Sequence, residues 1–244
     1  MDAVDLPPLR FAALVAPVVD RVVIGVHLRA QPRGRELFRS HGLERGGSLV
    51  EFRAALPSGP VARRTLEAVS RYFPDGGLDD ELAYQAEQAT LEVHDDGSVT
   101  ATDRGRVVID GLYDVHANAA GDGWATREAD LPRLAELGKR LLVAARPTAG
   151  PAFAGMGQPH ERPGDPPALV LFNRLAALRY HRADAHAASW AAAGHTAESI
   201  NAIEAGPERD AIEAETNRRA APPFAALSPD ERLTLLAGLA ALPG

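Results

Sequence analysis

Apolar positions recur at helical spacing along most of this chain, and only one short stretch alternates. Val15, Val18, Val19, Val22, Val23 and Val26 fall on one helical face over residues 9–28. The heavy β-branching also admits a strand over residues 21–28. The cluster Gln31-Pro32-Arg33-Gly34 predicts the end of that element. Residues 48–56 read as a short helix stopped by Pro57-Ser58-Gly59-Pro60. Residues 61–73 place Leu66, Val69, Tyr72 and Phe73 on one face, and after the turn Pro74-Asp75-Gly76-Gly77 a helix resumes over 78–89. Residues 91–94 alternate as a strand, Asp95-Asp96-Gly97 signals a hairpin turn, and residues 98–101 return. A long helix follows Thr102, which is suited to cap it.

Residues 148–167 are rich in proline and glycine and read as a linker or long loop. They divide an N-terminal domain (1–147) from a C-terminal helical domain (168–244). In the latter, a helix over 168–193 stops at Gly194, two more cover 197–205 and 208–220, and the last starts at the capping box Ser228-Pro229-Asp230-Glu231.

The order helix, helix, helix, strand, turn, strand, helix over residues 48–124 is that of a winged-helix unit. Here the segment LEVHDDGSVTATDRGRVVIDGLYDVH resembles the wing and following helix of winged-helix regulators of the MarR type, matching at Gly97, Thr102, Gly105 and Arg106. The resemblance implies a mainly α fold with a small β wing, a small-molecule-responsive regulator, and a homodimer formed through terminal helices. A second stretch, LRYHRADAHAASW at 178–190, resembles a group of helix-turn-helix-type proteins with a His-Arg-x-Asp-x-His helix, at His181, Arg182, Asp184, His186 and Gly194. That resemblance names no activity.

Charge complicates a regulator. The net charge is −7, against a general affinity for polyanions. Arginines gather before residue 65, and Arg63, Arg64, Arg71, Arg104 and Arg106 are the candidate DNA contacts. The helix expected in the major groove, however, carries Asp79, Asp80, Glu81 and Glu87 and no basic residue, and the wing tip carries Asp95 and Asp96. Acids in those places repel phosphates.

There is no cysteine, hence no disulfide, thiolate metal site or cysteine nucleophile. The first residues carry Asp2 and Asp5 and lack a basic signal-peptide start. The apolar runs fall short of the roughly 20 residues that span a bilayer, so a cytoplasmic protein without membrane contact is expected.

The densest polar constellation is Tyr180, His181, Arg182, Asp184, His186 and Trp190, a candidate ligand site on two helical turns. Its plain alternative is a helix–helix contact oriented by Arg182 and Asp184. His181 and His186 lie five apart, about 140° around the axis, so one metal ion does not easily take both. His27, His116 and His181 are weak metal candidates if they converge; singly, His27 and His116 read as core histidines. The cofactor stays unknown at this point; P-loop, GxGxxG and GxSxG patterns are absent. Three readings follow: a ligand-responsive regulator, an enzyme or ligand-binding protein built around the histidine helix, and a module that holds a protein or peptide.

Overall fold

The computed structural model describes residues 6–244; Asp2 and Asp5 lie outside them. The chain is mainly helical with one small two-stranded sheet. Helix α1 (Pro8–Ser40) carries the valine face, which is buried at Val15, Val19, Val22, Val23 and Val26. It does not stop at Pro32 as the sequence predicts: Pro17 and Pro32 both lie inside it. Proline removes an N–H and displaces the carbonyl four residues back. The carbonyls concerned belong to Ala13 and Leu28, both exposed, where water can satisfy them. Helix α1 is also long and apolar enough to cross a membrane by length and composition, contrary to the sequence expectation, and half of that stretch is buried inside the protein.

Helices α2 (Gly47–Phe52), α3 (Arg63–Val69) and α4 (Gly77–Glu87) follow, then strands β1 (Leu91–Val93) and β2 (Val99–Ala101). The strands pair antiparallel with Leu91 opposite Ala101 and Val93 opposite Val99. Gly97 makes their turn with φ 74°. Val61, just before α3, forms a bridge to the other edge of β2, exchanging backbone hydrogen bonds of 2.9 and 3.0 Å with Val99.

Helix α5 (Asp103–Trp124) is capped by Thr102, whose hydroxyl accepts from the Gly105 amide at 3.0 Å and donates to the Ala89 carbonyl at 2.7 Å. The Thr102 amide donates to the Thr90 carbonyl at 3.1 Å, so the end of α4 and the start of α5 are pinned together. A Cβ at Gly105 would sit 2.0 Å from the Thr90 carbonyl oxygen. The Thr-x-x-Gly pattern is thereby accounted for by packing.

Helices α6 (Leu131–Ala145), α7 (Pro151–Met156), α8 (Pro167–Ala192), α9 (Ala197–Ala202), α10 (Pro207–Ala220) and α11 (Pro229–Ala240) complete the chain. The proline- and glycine-rich segment 148–167 thus contains a helix. Its Ala152, Phe153 and Met156 are buried, and it packs on α3 and α8. One contiguous apolar cluster runs from Leu6 to Leu242, so both expected halves share a core. Helix α8 lies at its centre, touching α1, α5, α6, α7 and α10. Its first half is apolar around much of its circumference, as a helix enclosed by neighbours must be.

Gly105→Ala is expected to destabilise the protein by about 1–3 kcal/mol, the range for forced overpacking. Urea unfolding of the two proteins measures it.

Candidate functional site

The polar end of α8 was the strongest chemical signal in the sequence, and each of its side chains has a definite partner. Asp184, buried, accepts from Arg71 Nη2 at 2.7 Å and from the backbone amides of Ala152 (3.2 Å) and Phe153 (2.8 Å). Its two oxygens hold the first turn of α7 as well as the last arginine of the α3 segment. Gly150 permits this approach, since a Cβ there would lie 2.5 Å from the Asp184 carboxyl carbon. Arg71 also donates to the Ala183 carbonyl at 3.1 Å.

His181 is buried and hydrogen-bonded to the Thr148 hydroxyl at 2.8 Å, with its ring edge-on to Phe153. Arg182 donates to Asn217 at 2.9 Å and pairs with Glu213, both on α10. His186 Nδ1 lies 3.2 Å from the Tyr72 hydroxyl, which also accepts from Trp190 Nε1 at 3.3 Å. Burial lowers the pKa of both His181 and His186. Asp184 and Arg182 therefore clasp α8 to its neighbours, which matches the plain alternative read from the sequence.

Tyr180, His181, Arg182 and His186 nonetheless also line a cavity of about 510 Å³, walled by α1, the α2–α3 region, α8 and α10. Its apolar wall includes Val15, Val19, Ala176, Ala220 and Phe224. Four polar features stand against that wall. Asp20 and Arg179 form an ion pair at 2.6 Å. The Tyr180 hydroxyl donates to Glu51 at 2.8 Å, and burial together with that carboxylate holds its pKa well above the ordinary tyrosine value. Arg53 is only 4% exposed and donates to the Val50 carbonyl at 2.9 Å and to Asn173 at 3.4 Å, while its guanidinium lies over the Phe172 ring. Burial pulls its pKa down from the usual arginine value.

The fourth feature is His27. His116 Nδ1 lies 2.7 Å from the Leu112 carbonyl, an acceptor, so that nitrogen carries the proton. Burial, reinforced by Arg53, pushes the His116 pKa well below 6.5 and that of His27 down to about 3. In the neutral pair, His116 Nε2 accepts from His27 Nδ1 at 3.2 Å. His27 Nε2 is then a bare acceptor with no hydrogen bond among the described residues.

The metal expectation does not hold geometrically. His27 and His116 meet, but His181 bonds elsewhere, and no group of three potential ligands forms among the described residues. The candidate DNA contacts are largely engaged within the chain. Arg63 pairs with Asp79 and Glu67, Arg71 with Asp184, and Arg106 with Asp103. Arg104 donates to the Gln88 and His41 carbonyls, leaving Arg64 exposed. Glu81 is buried and accepts from the Ser48 amide, whereas Asp79, Asp80 and Glu87 are exposed.

Sequence reasoning missed Glu51, Arg53, Asp20 and Arg179 as one group. A signal for Arg53 was present: it occupies the i+4 position on the apolar face of Leu49, Phe52 and Leu56. Compared with protein-family models, curated proteins and solved structures, the chain matches none.

Asp184→Ala leaves Arg71 without its carboxylate and two amides without their acceptor, and is expected to cost about 3–5 kcal/mol, as for a broken buried pair; His186→Ala should cost about 1 kcal/mol or less. Thermal melts that place the two variants together would overturn this division. The depressed histidines set a pH dependence. Folded His27 and His116 bind protons less readily than they do unfolded, so their stability contribution is complete above about pH 6.5 and is lost as pH falls below it, for His27 down to about 3. Each contributes a slope of up to about 1.4 kcal/mol per pH unit. His27→Gln, which can still donate to His116, should remove one share of that slope between pH 6 and 4.5.

Proposed function

We propose that this protein binds a small molecule in the cavity between α1, α3, α8 and α10. The observation that carries the reading is the cavity itself: an apolar wall facing a few convergent polar groups, in the volume range usual for ligand sites. Arg53, the bare His27 Nε2 and the Tyr180–Glu51 pair supply orientation, and Val15, Val19 and Phe224 supply apolar contact. The histidine helix contributes one wall, and its Asp184 clasp keeps that wall in place.

A second reading makes the bound molecule a regulatory signal. It is favoured by the arrangement of α2, α3, α4 and the two strands, with Val61 bridging the far edge of β2, which is consistent with a winged-helix unit. The cavity is lined by Ala68, Val69 and Tyr72 at the end of α3, so a ligand would press on that unit. The exposed acids on α4 and the internally paired arginines weigh against phosphate contact by the same surface.

A thermal-shift panel of neutral and charged small molecules tests the first reading. A ligand at about one hundred times its Kd should stabilise the protein by about 2.7 kcal/mol. Ala176→Phe, which fills the cavity from α8, should abolish the response. A panel that leaves the wild-type melt unmoved, with no compound released on denaturing the purified protein, overturns it. The regulatory reading further requires strongly salt-dependent binding to mixed DNA fragments, and no binding at low salt removes it.

A further inference from the structure

The charges around the cavity are almost all matched in direct pairs. Asp20 meets Arg179, Glu213 meets Arg182, and Asp184 meets Arg71. Glu51 is half-buried and engaged by the neutral Tyr180 hydroxyl. Arg53 differs from all of these. It is more than nine-tenths buried, it lines the cavity, and among the described residues it has no carboxylate within ion-pair distance. Its partners are a carbonyl and a side-chain amide, neither charged. Asn173 leaves its own Nδ2 buried with no partner among the described residues.

A buried guanidinium without an anion is costly, because desolvation is not offset by a direct opposite charge. Arginine cannot relieve that cost by losing its proton near neutral pH. A carboxylate reaching Arg53 would supply the missing partner, and the guanidinium fork is suited to a two-oxygen acceptor. One wall of the space is apolar, from Val15 and Val19 on α1 to Ala220 and Phe224. We infer that the cavity receives an amphipathic monocarboxylate, with its head group on Arg53 and its hydrocarbon body against α1 and the end of α10. The assignment rests on the cavity being a ligand site and adds the chemical class of ligand. Glu51 is the carboxylate whose charge acts on Arg53, and it would weaken binding of an anion there.

Calorimetric titration with octanoate, and with 1-octanol as the uncharged counterpart, tests the inference. Octanoate is expected to bind at least about tenfold more tightly than octanol, the effect of one charge-assisted contact. Arg53→Met should erase that preference, bringing the ratio of the two affinities to about one. Glu51→Gln should tighten octanoate binding several-fold relative to octanol. If Arg53→Met does not fold, Glu51→Gln decides: unchanged octanoate affinity overturns the inference. Octanol binding as tightly as octanoate also overturns it, while the cavity stands as a ligand site. If neither binds, the inference fails, and the cavity reading falls only if the wider panel is silent as well.

Discussion

The carboxylate of Asp184 is the interaction on which the arrangement around the cavity depends. It takes one charge-assisted bond from Arg71 and two amide bonds from the first turn of α7, and so joins three segments distant in the chain. An ion pair with water around it would be worth little. This one is buried, and its acceptor capacity is used by Arg71 and by two helix-start amides. Its removal exposes the cost of all of them at once. The α7 turn then seats Phe153 against His181, and α8 keeps Tyr180 and His186 on the cavity wall.

Around that anchor the protein places a cavity whose polar groups are held by neighbours of fixed role. The chain Leu112 carbonyl, His116, His27 orients one acceptor. Tyr180 is fixed by Glu51, and Arg53 by the Val50 carbonyl and the Phe172 ring. Groups arranged in this way need little reordering when a ligand arrives, which lowers the entropic cost of binding. The same burial that orders them keeps both histidines neutral.

Much of the helical framework was legible in the sequence because its signals are local. Thr102 caps α5, Ser228 and Glu231 form the expected box at α11, Gly194 ends α8 with φ 87°, and Gly97 turns the hairpin. The errors arose where a local rule met a tertiary circumstance. Pro32 did not end α1, since the carbonyl it displaces belongs to Leu28, an exposed residue. The segment 148–167 looked like a linker by composition, yet Phe153 and Met156 fill space against α3 and α8. The site was legible in part: the α8 constellation was visible, but the role of Asp184 was not. That role depends on residues 150–153 and on Arg71, which no spacing along α8 reveals. Arg53 was hidden among many arginines, although its register with Leu49, Phe52 and Leu56 marked it as buried.

Helix α1 ends up as a surface that the other end of the described chain must complete. Arg21 donates to the carbonyls of Leu242 and Leu239, and Arg29 to that of Gly244, across sequence separations of 215 to 221 residues. Trp124, fully buried, reaches the Pro243 carbonyl as well. Contacts of such range close very long loops and slow the search for the native state. During synthesis the first helix leaves the ribosome long before residues 239–244 exist. Its apolar face, Arg21 and Arg29 must therefore wait, incompletely covered, until residues 239–244 arrive, and the native core is sealed only after translation has passed that point.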